Sequence, residues 1–432
     1  MLEIFFKLSK NQTSLKIEFL AAITSFLATA YIIIVNPTIL ASTGMPFSAI
    51  VTSTILVCAF SSIMMGLYAN LPIIVAPGMG LNAFFAFSLV IGKKVPYQVA
   101  LGAVFWSGII FLLLSIFKIR EKIIDSIPDC LKKSISCGIG FFIATIGLSN
   151  VGFVIPSEAT IFTHGPITPK ILFFLFGVIT SSYLIIKKNK AAFLISIILT
   201  TALSYLYGRY SDLQLVQFNG SFAKPDFSLL FQVDLVGSFK LSFIPVIFAF
   251  VFTDLFDSIS TFVGVSEAAN LKDEKGNPKN VSKALIADSI STTLSGIFGS
   301  SPGTGYIESA AGIAQGGRTG LVAVIAGVMF IPFLYLSPLI SMVPSVATAP
   351  VLVVVGVYMM SPISKINWED LEIAIPSFIS ILLIPLSYSI TNGIIWGFLI
   401  YTAIKISLGK WSDINPVLIG INVFAIFALI YS

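Results

Sequence analysis

Asp254 and Asp257 stand three residues apart in the run Thr253-Asp254-Leu255-Phe256-Asp257-Ser258. Asp288 and Glu308 follow downstream, and all four lie in sequence oily enough to sit in a bilayer. A charge at the centre of a membrane costs roughly 3 kcal/mol on insertion scales, so such residues normally face a polar cavity or one another. A spacing of three puts Asp254 and Asp257 on one face of a helix, and Thr261 continues that face. Carboxylates so placed can accept N–H groups from a ligand and can gain and lose a proton. The plainer alternative is a buried polar network that locks helices together, which suits Asp288, flanked by Ser289 and Ser291, better than it suits the pair.

Two further stretches, Ala76-Pro77-Gly78-Met79-Gly80-Leu81-Asn82 and Ser301-Pro302-Gly303-Thr304-Gly305-Tyr306-Ile307-Glu308-Ser309, share a Pro-Gly-x-Gly core 225 residues apart. Proline removes a backbone donor and glycine admits close approach to the main chain, so each motif is expected to be an extended piece leading into a half-helix. The first amides of such a half-helix form a donor-rich, partly positive end that suits a carbonyl oxygen or a ring nitrogen. Asn82 and Glu308 take nearly equivalent places, one register step apart. With Gly80, Thr304, Gly305 and Tyr306 around them they suit a flat polar ligand: the acids accept ring N–H groups, the amide both donates and accepts, and backbone amides take an exocyclic oxygen. Phe84, Phe85, Phe256 and Tyr306 offer stacking faces, although 38 phenylalanines put an aromatic ring near almost any point. One such motif alone reads as a helix kink; two at equivalent places in a repeat read as a binding site.

The elements that must position these residues are membrane helices. The chain has 432 residues, of which 56% are hydrophobic and 10% charged, and its mean hydropathy is +0.98, which excludes a soluble globular domain. No Asp, Glu, Lys or Arg occurs from Phe19 to Gly92 or from Thr319 to Ser364, so each stretch crosses at least twice at roughly 20 residues per crossing. Barrel-type alternation is absent. Spans are predicted near 18–37, 47–69, a short 73–90, 97–117, 130–150, 169–187 and 191–208, then 242–265, 282–299, a short 302–316, 320–342, 345–361, 371–388 and 390–408. The polar stretch 209–240 thus separates a repeat at 1–208 from a second at 241–432. Ile127-Pro128 and Val343-Pro344 open corresponding spans. Seven spans per half force opposite orientations in the membrane.

With the N-terminus inside, Arg120 to Lys122, Lys187 to Lys190, Lys272 to Lys283, Arg318, Lys365 and Lys405 to Lys410 fall on the cytoplasmic side. Lys93, Lys94, Lys170, Arg209, Lys224 and Lys240 oppose them. The net charge of +5 is this bias and no nucleic-acid patch. Lys7, Lys10 and Lys16 precede a long apolar run without a cleavage signal, which reads as a retained cytoplasmic lead-in along the interface. Cys58, Cys130 and Cys137 form no metal or disulfide spacing. His164, the sole histidine, falls in an external loop and is expected to be a solvated surface residue. Residues 416–431 are an apolar remainder: an extra crossing, an interfacial helix, or a sign that one broken span has been counted as two.

Asn36-Pro37, the run from Ala76 to Phe87, Thr253 to Ser258, Ala287-Asp288-Ser289 and Gly303 to Gly320 together resemble the AzgA-like purine permeases, a branch of the nucleobase:cation symporter-2, or nucleobase-ascorbate, group. The resemblance covers essentially the whole chain. It implies an all-α polytopic fold of fourteen segments in a 7+7 inverted repeat, segments 3 and 10 being short and broken. A core domain (about 17–117 and 241–342) and a gate domain (about 127–208 and 343–432) are implied with it. It also implies a homodimer in the cell membrane, no cofactor, and proton-coupled uptake of hypoxanthine, guanine or adenine. Carried over by motif, Glu308 resembles the principal base-binding carboxylate, Asp254 and Asp257 the binding and coupling acids, and Asn82 the third-segment asparagine; Asn36 and Asp288 are read as structural polar residues. Ser260 stands where the family often has a glycine, which bears on pocket size.

The expected mechanism is that a purine enters from outside and binds between the half-helices against Asp254, Asp257 and Glu308, one of them protonated. Core and gate then rock to expose the site inside. An intramembrane aspartyl protease would need Gly-x-Gly-Asp, where the chain has Gly303-Thr304-Gly305-Tyr306. Another nucleobase, xanthine or uracil, is the nearer alternative. An anion carrier of the sulfate-permease architecture would want a cationic or neutral centre, against which the four acids argue.

Overall fold

The architecture is that of a computed structural model, which describes residues 2–117, 127–157, 160–209, 211, 215, 216, 220, 222–268 and 280–431. Arg120 to Lys122 and Lys272 to Lys279, used above for orientation, lie outside the described residues, as does the side chain of Ser260.

A short helix α1 (Leu2–Phe6) leads into α2 (Leu15–Thr29), whose N-cap Ser14 accepts from the Ile17 amide. Pro37 lies inside α3 (Ile32–Ala41), where it has no N–H for the carbonyl four residues back and its ring crowds that carbonyl. The chain responds by breaking between α2 and α3: the amides of Ile33 and Ile34 also bond three residues back, to Ala30 and Tyr31. α4 (Phe47–Met64) widens into a π-turn at Met65–Ala69. The third segment is β1 (Val75–Pro77) followed by α5 (Met79–Ala83), prolonged as a π-helix through Gly92, and the fourth is α6 (Tyr97–Ile116). α7 (Asp129–Asn150), β2 (Val154–Pro156), β3 (Phe162–His164), α8 (Pro169–Ile186) and α9 (Ala192–Gly208) complete the first half.

The second half repeats the plan with α10 (Ile244–Ala268), α11 (Val281–Phe298), then β4 (Gly303–Gly305) leading through a 3-10 turn into α12 (Ala310–Ala314). α13 (Gly320–Phe330), extended by a 3-10 stretch to Tyr335, and α14 (Ser337–Ser341) follow, then α15 (Ser345–Met359), α16 (Leu371–Leu386) and α17 (Ile390–Ser407). Among the described residues eight helices have the length and apolar character to cross a membrane and four are shorter; α11 and the strand-led tenth segment bring the segments to fourteen. The chain is an all-α polytopic membrane protein with an inverted 7+7 repeat. The remaining helix, α18 (Pro416–Tyr431), packs beside α17, with Asn422 Nδ2 donating to Thr402 Oγ1 at 2.7 Å. It is a separate element, since α16 and α17 are distinct helices joined at Tyr388.

The helices pack in two groups. α2, α4, α6, α10, α11 and α13 pack around the two strand-led segments, while α7, α8, α9, α15, α16 and α17 pack on one another. Proline caps open both members of one repeat pair, Pro128 ahead of α7 and Pro344 ahead of α15. These two helices touch backbone to backbone, because a Cβ added to Gly356 would lie 2.5 Å from the Gly140 carbonyl oxygen.

The polar connection is fastened over the first group. Ser48 Oγ donates to Asp226 Oδ2 at 2.6 Å and Trp106 Nε1 to the Leu235 carbonyl at 3.1 Å. The Ser48 hydroxyl holds the Asp226 carboxyl below its usual range. Glu18 accepts from the Arg318 amide at 2.8 Å and from Thr319 Oγ1 at 2.6 Å, while Phe6 and Leu8 pack on Leu321, so the lead-in is docked. Cys58, Cys130 and Cys137 are buried free thiols. His164 is exposed in the β2–β3 hairpin, its ring edge-on to Phe153.

Candidate functional site

The two Pro-Gly-x-Gly motifs meet as an antiparallel ribbon. Val75 faces Gly305, Ala76 faces Thr304 and Pro77 faces Gly303. The Gly78 amide donates to the Pro302 carbonyl and the Tyr306 amide to the Ile74 carbonyl, both at 2.9 Å. Inside a bilayer every backbone group needs a partner, and at these two bonds each half supplies a partner to the other. Gly305 lets the crossing sit directly against Phe262, since a Cβ there would lie 2.3 Å from that ring and force it to move. Side chains finish the job: Tyr306 Oη donates to the Pro77 carbonyl at 2.6 Å, Ser62 Oγ accepts from the Val75 amide at 3.0 Å, and Ser309 Oγ from the Ile74 amide at 2.9 Å.

The four acids divide into two layers around the ribbon. Asp254 and Asp288 are buried behind β4. Thr292 Oγ1 lies 2.6 Å from Asp254 Oδ2 and 3.0 Å from the Gly303 carbonyl, and has one hydrogen to share between them. Ser258 Oγ donates to Asp288 Oδ2 and lies 2.8 Å from Thr304 Oγ1. Asp254 Oδ1 and Asp288 Oδ1 have no partner among the described residues. Asp257 and Glu308 are only half-buried and are close enough for their charges to interact. Glu308 Oε1 accepts from Tyr31 Oη at 2.8 Å. Among the described residues the ion pairs made by Lys132, Lys405 and Lys410 reach other acids and leave these four without a cation.

Asn82 is fully buried and accepts from Ser301 Oγ at 2.5 Å, while its Nδ2 has no partner among the described residues. Asn36 holds the next layer, donating to Thr54 Oγ1 at 2.8 Å and to Ser300 Oγ at 3.4 Å. Gly80 faces the second helix group, where a Cβ would lie 2.6 Å from Ile139 Cγ2. Of the eight residues expected around a ligand, Asp257 and Glu308 therefore offer accessible carboxylates. Thr304, Gly305 and Tyr306 hold the crossing, and Asp254, Asn82 and Gly80 stand in or against its buried surroundings. A separate cavity of about 460 Å³ lies among Trp106, Ile110, Leu114, Phe248 and Phe252. Its lining is apolar and carries none of the acids.

The model of the Permease family (Xan_ur_permease) matches residues 16–395. The chain belongs to this Permease family. It is 42% identical to the adenine permease AdeP of Escherichia coli strain K12, over 100% of this chain and 96% of that one. It is 39% identical to the guanine/hypoxanthine permease PbuO of Bacillus subtilis strain 168, over 98% and 99%. In fold it is similar to the transmembrane domain of a cyanobacterial bicarbonate transporter, BicA, with a TM-score of 0.64 at 18% identity over 89% of this chain and 97% of that one. The protein is thus a membrane permease and not an enzyme.

Sequence reasoning about this permease missed Tyr31, Thr292 and Ser301. Thr292 is a small hydroxyl residue of the kind that apolar helices carry throughout, and Ser301, though it opens the second Pro-Gly-x-Gly stretch, was given no role of its own. Tyr31 had one available signal, its place one to two turns ahead of the helix-breaking Pro37.

Proposed function

We propose that this permease imports purine nucleobases, hypoxanthine, guanine or adenine, by proton symport. The observation that carries this reading is the pair Asp257 and Glu308, the two acids left accessible beside the strand crossing. Its support is the full-length similarity to permeases named for purines. In this reading Glu308 accepts a ring N–H of the base, Asp257 a second N–H, and Asn82 Nδ2 supplies a donor to a ring nitrogen or exocyclic oxygen. Asp254 belongs to the coupling set with Asp257 and Glu308, and one member of the set carries the proton. Asp288 and Asn36 hold the scaffold.

The two helix groups act as core (about 17–117 and 241–342) and gate (about 127–208 and 343–432). Their relative rocking moves the site's access from one face of the membrane to the other. The N-terminus lies in the cytoplasm, the membrane is the cell membrane, and the working unit is a homodimer.

Uptake of radiolabelled hypoxanthine into cells producing Glu308→Gln tests the central assignment. The expected result is loss of accumulation; retained proton-driven accumulation with unchanged apparent affinity removes Glu308 from the site. Competition by unlabelled adenine, guanine, xanthine and uracil, run across pH with and without Na⁺, identifies the preferred base and the coupling ion.

A further inference from the structure

Tyr31 connects two things that the transport cycle has to keep in step. It is buried, at 1% exposure, and lies at the break between α2 and α3, so its side chain is not stacked into a regular helix face. Its hydroxyl donates to Glu308 Oε1 at 2.8 Å across 277 residues of sequence. Its ring packs edge-on against Phe193 of α9, with centroids 4.9 Å apart and planes at 61°. Phe193 in turn lies edge-on to Tyr358 of α15, 6.4 Å away. α9 and α15 belong to the second helix group, whereas Tyr31 and Glu308 belong to the first. One side chain thus touches the accessible carboxylate at one end and the opposing helix group at the other.

We propose that Tyr31 is a positioning residue that presents Glu308 to the base and links that presentation to the placement of α9 through Phe193. The proposal rests on the reading of Glu308 as the base-binding carboxylate. By occupying Oε1, the Tyr31 hydroxyl restrains the orientation of the carboxylate and leaves Oε2 as the acceptor offered to a ring N–H. The carboxylate is then pre-oriented, and the base does not bear the cost of ordering it. Movement of α9 relative to the crossing changes the packing of the Tyr31 ring, and with it the hold on Oε1. The link is an edge-to-face aromatic contact between two rigid groups, the kind of element that has discrete arrangements.

The test uses the full chain in membranes, with radiolabelled hypoxanthine and adenine as probes, and records KM, Vmax, equilibrium binding, amount of protein and Tm. Tyr31→Phe keeps the ring and removes the hydrogen bond. It is expected to raise KM about tenfold, the effect of losing one hydrogen bond to a charged acceptor, with Vmax and Tm close to the parent's. Phe193→Leu removes the ring and keeps the bond. It is expected to leave equilibrium binding within twofold and to lower Vmax about fivefold or more. Tyr31→Phe with unchanged KM overturns the proposal. So does a loss of protein or Tm that accounts for the loss of uptake, since that is a packing role. So does Phe193→Leu with unchanged Vmax. Glu308→Gln, run in parallel, separates the two levels: if it transports normally the reading of Glu308 fails, and if it is inactive while Tyr31→Phe behaves as the parent, only the Tyr31 proposal fails.

Discussion

Spacing along a helix settles direction but not depth, and the paired aspartates of this permease show the difference. Asp254 and Asp257 are about 60° apart around α10, as a spacing of three requires. Yet α11 packs against one edge of that face and buries Asp254 under Thr292, leaving Asp257 half-buried beside Glu308. Substitutions at the two layers should therefore fail differently. Asp257→Asn is expected to fold and to raise the KM for purine about tenfold or more in uptake assays. Asp288→Ala removes the acceptor of Ser258, whose hydroxyl also lies beside Thr304. Its expected cost is about 1.5–3 kcal/mol, the worth of a hydrogen bond to a charged acceptor, read as a lower Tm and less protein in the membrane. The assignment of layers is wrong if Asp288→Ala keeps full stability and changes only affinity. The types and rough neighbourhood of the acids were legible in the sequence. Their division into layers was not, because it depends on which helix covers which edge.

At the level of elements, the two strand-led segments were legible as interrupted helices from their Pro-Gly-x-Gly cores. Their pairing residue for residue was not, because antiparallel register between positions 226 to 230 apart has no local signature. Helix contacts without polar partners are set instead by missing side chains. Gly140 and Gly356 bring α7 and α15 together at a distance that no Cβ can share. Gly356→Ala should cost about 1–3 kcal/mol as overpacking against a backbone atom, which has no rotamer to yield. Gly420→Ala in α18, where nothing lies within 4 Å of the added carbon, is the matched control and should leave Tm unchanged or slightly raised. Equal melting temperatures in a thermal-shift assay would refute the close crossing. The hydropathy pattern marked the apolar run 416–431, but only its packing on α17 shows that it is an element in addition to the fourteen.

For the whole molecule, repeat symmetry and chemical asymmetry coexist. Every one of the four intramembrane acids lies in the second half, while the first half contributes Tyr31, Asn36, Asn82 and one strand. Fourteen segments and their inversion follow from span counting, because a chain this apolar has few places to turn. The functional link between halves runs through single contacts at large separation, such as Tyr31 with Glu308, and these leave no trace in local composition. The ribbon adds a constraint of timing. When Val75–Pro77 has entered the membrane, its partners Gly303–Gly305 have yet to be made, which takes on the order of ten to forty seconds at ordinary synthesis rates. Through that interval the Gly78 amide and the Ile74 carbonyl lack the partners they take from the second half, a state that hydrocarbon penalises. Cutting the gene between residues 209 and 222 makes this measurable. Each half produced alone should be cleared rapidly by membrane proteases in a pulse-chase, and both produced together should persist and transport. The permease is in this sense expected to be born incomplete, its first half becoming a stable membrane protein when the ribosome delivers the second.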